Sequence, residues 1–204
     1  GMNQLAGWEL EIGGPSVPPV VWPNPADITY GTALSAAQLN ATSPVAGAFS
    51  YSPPPGAVLS AGSNQILTAV FTPTDPASYL ARTNTVALNV QKTLLTVAAD
   101  NQSKVFGAAL PQFTAGYSGF VNGDSTNSLT ALANLTTPAT IHSVPGAYAI
   151  NASGAAGSNY TFMYVPGTLT ITPASSTAVL SVSSNPAVPG ASLTLSCALS
   201  AVAP

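Results

Sequence analysis

The sequence predicts an all-β protein assembled from small repeated modules, and three observations carry that expectation. Apolar and polar residues alternate with period two in many short runs. Pro-Gly and Asn-Gly steps separate the runs. Several runs recur at fixed offsets along the chain.

The alternation is clearest in three places. Val86, Leu88 and Val90 alternate with Ala87, Asn89 and Gln91. Leu169 and Ile171 alternate with Thr168, Thr170 and Thr172. Leu193, Leu195, Cys197 and Leu199 alternate with Thr194, Ser196, Ala198 and Ser200. Successive side chains of a strand point to opposite faces, so each run presents one apolar face and one wet face. Threonine suits the wet face because its branched Cβ fits the pleat. The closest approach to a helical pattern, 33–39, is too short to form a stable helix.

Turn chemistry punctuates the runs. Pro-Gly occurs at Pro55-Gly56, Pro145-Gly146, Pro166-Gly167 and Pro189-Gly190, and Asn122-Gly123-Asp124 follows Phe120-Val121. Proline fixes one φ, and glycine or asparagine accepts a positive one, so each step is read as a turn. Short alternating strands spaced by such turns indicate a sandwich or a barrel.

The repeats divide the chain. Val105-Phe106-Gly107 echoes Thr29-Tyr30-Gly31 at an offset of 76 residues. Tyr160, Leu169 and Ile171 echo Tyr79, Leu88 and Val90 at a constant offset of 81. A third pairing, Val144 to Tyr148 with Val45 to Phe49, has an offset of 99. Loops of unequal length between the same strands would produce these differences. The expected organisation is an N-terminal segment over 1–16, one module over 17–91, a second over 92–173, and an incomplete third over 174–204. The polar Gln91-Lys92-Thr93 forms the expected junction. Gly1 ahead of Met2 resembles a scar of tag cleavage, and the native chain is expected to continue past both ends.

Composition narrows what the chain can do. Of its 204 residues 46% are hydrophobic and only 4% charged, against roughly a quarter charged in ordinary soluble domains. Low charge with high hydrophobicity is the opposite of the disordered signature. Three Lys or Arg in all cannot assemble a phosphate-binding patch, so no nucleic-acid partner is expected. A net charge of −3 gives no reason to expect a cationic partner. Cys197 is the single cysteine, which excludes an internal disulfide and a thiolate zinc site. No apolar run reaches the ~20 residues that cross a membrane. The N-terminus lacks the basic start and apolar core of a signal peptide, since Glu9 and Glu11 interrupt it.

Residues able to carry chemistry are few. His142, Ser143 and Asp124 could be imagined as a hydrolytic triad, but no G-x-S-x-G elbow accompanies them. The carboxylates are Glu9, Glu11, Asp27, Asp75, Asp100 and Asp124. They are scattered, and Asp75 and Asp124 sit in turn sequences, so neither a glycosidase pair nor a calcium cage is expected. Asp100-Asn101 and Asn122-Asp124 offer the best weak cation site. The aromatics Trp22, Tyr30, Tyr51, Phe71 and Tyr79, with Phe106, Tyr117, Phe120, Tyr148, Tyr160, Phe162 and Tyr164, could form a sugar platform. Their recurrence at equivalent places favours core positions instead. Sequons begin at Asn40, Asn101, Asn134, Asn151 and Asn159 and matter only in a eukaryotic secretory pathway. The expectation is no catalytic, cofactor-binding or metal-binding residue, and no enzyme.

The second module resembles a known family. "KVFGAALPQF", "YSGFVNGDS", "PGAYAINASGA" and "NYTFMYVPGTLTITPA" are similar to the MBG domain, a mostly bacterial immunoglobulin-like module. "VVWPNPADITYGTALSAAQLNAT" with "AVFTPTDPASYL" resembles a related Ig-like repeat. "SSNPAVPGASLTLSCALSAVAP" resembles the opening strands of another bacterial Ig-like domain. The resemblance implies tandem immunoglobulin-like β-sandwiches with antiparallel sheets. It also implies an extracellular or cell-surface bacterial setting, with the modules acting as spacers or adhesive stalks. Neighbouring Ig-like modules are then the implied partners, with a surface glycan or protein as a further one. Each module is shorter than the ~100 residues of an antibody-type domain, so a trimmed sandwich is expected. The competing expectation is a carbohydrate- or protein-binding module, which would show a cleft with two exposed aromatics side by side.

Overall fold

The computed structural model describes residues 14–183, 186 and 188–201. The chain is all-β with mostly antiparallel sheets. It divides between Thr93 and Leu94 into two compact units.

Unit 1 is built on a four-stranded sheet of β1 (Ile28–Thr29), β2 (Gly47–Ser52), β3 (Gly62–Pro73) and β4 (Arg82–Gln91). Their order is β1-β4-β3-β2. The period-two pattern of β4 does what its residues dictate: Val86, Leu88 and Val90 are buried while Asn89 and Gln91 are exposed. Leu67, Ala69 and Phe71 of β3 form the adjacent core row on the same face of the sheet. The opposite layer is held by isolated bridges, Ser16 to Tyr79, Val21 to Thr42 and Ala33 to Val58. Trp22 closes this layer. Its ring meets Tyr51 edge-on at 5.5 Å, and its indole N–H donates to Gln38 O at 3.0 Å. A buried indole needs such a partner. The 33–39 stretch makes a single turn, with the Leu39 N–H bonded to Ser35 O at 2.9 Å.

Unit 2 opens with β5 (Thr93–Ala99), then β6 (Gln102–Val105), β7 (Ala115–Ser118), a one-turn 3-10 helix at Thr126–Ser128, β8 (Asn134–Thr136), β9 (Gly146–Ser153), β10 (Tyr160–Val165) and β11 (Gly167–Thr172). One sheet has the order β10-β5-β7 and the other β6-β11-β9-β8. Leu95 and Val97 of β5, Ile150 of β9, and Leu169 and Ile171 of β11 are buried. Ile150, Leu169 and Ile171 form one cluster with Ala99 and Ala139. The last strands, β12 (Ser176–Val182) and β13 (Leu195–Ala201), pair only with each other.

The two units share a topology. β1, β4, β3 and β2 hold the places of β6, β11, β9 and β8. Each four-stranded sheet departs from pure antiparallel pairing at the same edge, where β1 runs parallel to β4 and β6 runs parallel to β11. Registers coincide too. Ile28 faces Val90 as Lys104 faces Ile171, which is the 76- and 81-residue offsets expressed in space.

Two expectations need correction. Val144 to Tyr148 is not the counterpart of Val45 to Phe49. Gly47–Ser52 forms edge strand β2, whose place in unit 2 belongs to β8, whereas Gly146–Ser153 forms the inner strand β9. Both segments are Gly-Ala-aromatic strand starts, and a short motif of that kind carries no information about position in the sheet. Pro166-Gly167 is likewise no turn. Gly56, Gly123 and Gly190 turn the chain with positive φ, whereas Gly167 has no positive φ and Gly146, at 157°, is the nearly extended first residue of β9, so Pro145-Gly146 is no turn either. Gly167 is the first residue of β11, where the chain passes from one sheet to the other.

Candidate functional site

The most distinctive local structure is the aromatic-glycine clasp that each unit carries. In unit 1 the Tyr30 N–H donates to Gln91 O at 2.8 Å and the Thr32 N–H to Thr29 O at 3.0 Å. In unit 2 the Phe106 N–H donates to Thr172 O at 2.8 Å and the Ala108 N–H to Val105 O at 3.1 Å. The short parallel strand thus bonds to the last residue of β4 or β11 and then reverses. The reversal needs a residue with positive φ, and Gly31 (96°) and Gly107 (84°) supply it. A side chain in that region would strain the backbone. The Thr93 hydroxyl donates to Tyr30 O at 2.6 Å, so the strand leaving unit 1 is tied to the clasp as well.

Lys104 is the functional-looking residue that the sequence reading passed over. It occupies the place of Ile28, with Ile28 at 9% and Lys104 at 7% exposure. Its ammonium donates to Ala108 O at 2.8 Å and to Ile141 O at 3.2 Å. A buried cation needs such acceptors. They tie the turn after β6 to the 137–144 loop. The signal was present, because the 76-residue offset puts a lysine at a core position.

The imagined triad is not assembled by the bonds its members make. Ser143 Oγ accepts from the Thr140 N–H at 2.9 Å, and the exposed His142 donates its backbone N–H to Thr140 Oγ1 at 3.3 Å. Asp124 lies at another turn, where Tyr160 donates its hydroxyl to Oδ2 at 2.7 Å. Each described carboxylate serves local structure. Asp27 accepts the Asn89 backbone N–H at 3.0 Å and its side-chain amide at 3.1 and 3.2 Å. Asp100 accepts the Thr114 hydroxyl at 2.6 Å. Asp75 accepts the N–H groups of Ala77 and Ser78 at 3.0 and 3.2 Å. The Ser78 hydroxyl first, then the Ser78 and Ala77 amides, hold the Asp75 carboxyl below its ordinary pKa by favouring the charged form. Of the two acid-amide pairs weighed for a cation, Asn101 Oδ1 is taken by the Thr168 N–H at 2.8 Å, and Asp124 by Tyr160. Glu9 and Glu11 lie outside the described residues. Among the described residues no three metal-ligating side chains gather.

Most of the aromatics build structure, but Phe106 departs from the expected core position, 38% exposed where its counterpart Tyr30 is 7% exposed. Phe49 stacks on Tyr51 at 6.2 Å and Phe162 on Tyr164 at 6.4 Å, each pair half-buried on one strand face. The Tyr51 and Tyr164 hydroxyls accept the backbone N–H groups of Ala41 and Ala155 at 3.1 and 2.9 Å. Phe120 meets Tyr160 edge-on at 5.6 Å. No ligand-sized cleft is present among the described residues. No described helix is long and apolar enough to cross a membrane.

The chain contains a recognisable module. Residues 95–170 match the family model described as MBG domain (YGX type). The match covers most of β5 through most of β11 and includes the Phe106-Gly107-Ala108 clasp; Tyr30-Gly31-Thr32 holds the same place in unit 1. No curated protein matches the chain.

Proposed function

We propose that the two units are non-catalytic spacer modules of a secreted or cell-surface bacterial protein, holding other parts of it away from the surface, with adhesion as a further role. The observation that carries this reading is the duplicated clasp. In both units the structural effort lies where an early strand of the module pairs with its last. The pairing is parallel, with the early strand entered from its N-terminal end and the last strand left at its C-terminal end. Once the segment ahead of the early strand has yielded, β5 in unit 2, tension on the chain pulls the two strands past each other along their length. All the bonds between them are loaded together rather than one after another. That arrangement suits a module that must bear load. The engagement of the described carboxylates in turns and loops supports the absence of catalysis.

Stretching the full chain by its ends tests the proposal. The expected record has two force peaks, each releasing about 25 nm, since a module of roughly 75 residues extends by up to ~3.5 Å per residue. Extension without resolved peaks would overturn the load-bearing role. Saturable binding on a glycan array would favour the binding-module reading instead.

A further inference from the structure

Unit 1 begins with a segment that is held differently from its counterpart in unit 2. Ser16 pairs in parallel with Tyr79, and Val21 pairs antiparallel with Thr42. Residues 16–22 therefore run between two neighbours, as β5 runs between β10 and β7. β10 begins at Tyr160, the counterpart of Tyr79 at the 81-residue offset. β5 is a continuous strand without proline, and Thr96 to Ala99 are in register with β7. The unit 1 segment instead carries Pro18 and Pro19 and runs into Pro23. Proline has no N–H to give to a ladder. Backbone bonds secure the two ends of the segment. The Leu80 N–H donates to Ser16 O at 2.9 Å, and Val21 and Thr42 exchange two bonds of 2.9 Å. Between these ends, side chains reach the carbonyls. Arg82 Nη1 donates to Pro18 O at 3.0 Å, Ser43 Oγ to Pro19 O at 2.8 Å and Asn84 Nδ2 to Val20 O at 3.4 Å. Arg82 Nε also donates to Asn84 Oδ1 at 3.1 Å, which couples two of the three.

We infer that residues 16–22 form a strap that lifts from unit 1 while the β1-β4-β3-β2 sheet stays folded. The donors at its middle are side chains, and water replaces them as the strap rises, so no strand of the sheet has to open with it. Pro18, fully buried, and Trp22, 8% exposed, hold the strap down at rest. Its outward residues, Val17 and Val21, are 60% and 62% exposed and add little. The parallel pairing of Ile28 with Val90 and Thr29 with Gln91 uses none of the strap's bonds, so the clasp stays closed when the strap lifts. Local opening of this kind, below the cost of unfolding the whole unit, belongs to segments with few ladder bonds. The mechanical consequence rests on the load-bearing reading proposed above. The strap is the part of unit 1 that yields first, and freeing 16–27 releases up to ~4 nm of chain before the clasp is loaded. β5, laddered on both edges, gives unit 2 no such early stage.

Native-state hydrogen exchange of the full chain tests the strap without load. The amides of Val21, Thr42 and Leu80 bond across it. They should exchange at least about tenfold faster than those of the β3–β4 ladder. In unit 2 the β5–β7 amides should follow those of β9 and β11. Arg82→Met should speed the three strap amides roughly tenfold again and leave the β3–β4 amides unchanged. Ser43→Ala, a smaller cut, should give the same pattern more weakly and serves where Arg82→Met fails to fold. Strap amides that exchange at the rate of the β3–β4 ladder would overturn the inference. So would equal acceleration of both sets in Ser43→Ala, or a β5–β7 ladder that opens apart from the rest of unit 2. A force record without peaks strikes the load-bearing reading and leaves the strap standing, whereas failure of the exchange result strikes the strap alone.

Discussion

Gly167→Ala should destabilise unit 2 severely, although alanine is the smallest change available. A Cβ at residue 167 would lie 2.6 Å from Ala99 O, 2.8 Å from Asp100 O and 3.0 Å from Ala99 C, whereas ordinary contact begins at 3.4 Å. All three atoms belong to the backbone, so no side chain can rotate away. The start of β11 and the corner between β5 and β6 must part by most of an ångström. Two hydrogen bonds hold that corner, Asp100 N–H to Thr114 O at 2.9 Å and Thr168 N–H to Asn101 Oδ1 at 2.8 Å, and both would stretch. Overpacking of this kind costs about 1–3 kcal/mol, and each weakened hydrogen bond adds up to about 1 kcal/mol. The expected loss is about 2–4 kcal/mol. For a domain of this size that lowers Tm by roughly 10 °C or more. Gly116→Ala is the control. It lies in β7 with nothing within 4 Å of the added methyl group and no left-handed φ. Alanine there should stabilise by about 0.4–1 kcal/mol through the unfolded chain. Both tryptophans of the chain, Trp8 and Trp22, precede Thr93, so tryptophan fluorescence reports unit 1 while tyrosine circular dichroism also follows unit 2. The tryptophan midpoint should stay fixed in Gly167→Ala while the second transition falls. A change below about 0.5 kcal/mol, or an equal loss in Gly116→Ala, would refute the close-approach argument.

Lys104→Met should cost about 1–3 kcal/mol, because Ala108 O and Ile141 O lose a charged donor while the side chain keeps its length. A urea midpoint at or above the native one would show that the cation is no asset there. Asp75→Asn should matter only where the native carboxyl is ionised. Its folded pKa is lowered, so its contribution is present above the unfolded value of about 3.9 and disappears as pH falls through the folded value. The Tm difference between Asp75→Asn and the native chain should therefore shrink as pH drops below about 4; a difference constant from pH 7 to pH 2 would count against it. Melts in calcium and in chelator should superimpose, because the described carboxylates are engaged by local donors. A shift of several degrees would reveal a site that binds the native state.

Much of this fold is written in local pattern. The alternation in 86–90 and 169–172 specifies strands and their buried faces, because period two leaves each side chain only one of two sides. The Tyr30-Gly31 and Phe106-Gly107 steps stand out in the sequence only as a repeat at the 76-residue offset, and the structure shows that the glycine in each takes the positive φ of a reversal. The 81-residue offset specifies that one arrangement is used twice. What tertiary structure alone decided is which strands meet. Parallel pairing of β1 with β4 and of β6 with β11 joins segments more than sixty residues apart, and local preferences cannot choose a partner at that distance. Neighbourhood also decided the meaning of individual residues. Gly167 reads as a turn beside Pro166, but it is required because the Ala99–Asp100 backbone passes against it. Val144 to Tyr148 reads as the twin of Val45 to Phe49 and is not, since an edge strand and an inner strand can begin with the same letters. Lys104 carries a charge where the repeat places a core residue, and two carbonyls from separate loops converge on it and make its burial tolerable. In each case the sequence determines what a residue can do locally, and the contacts brought from far along the chain determine which of those possibilities is used.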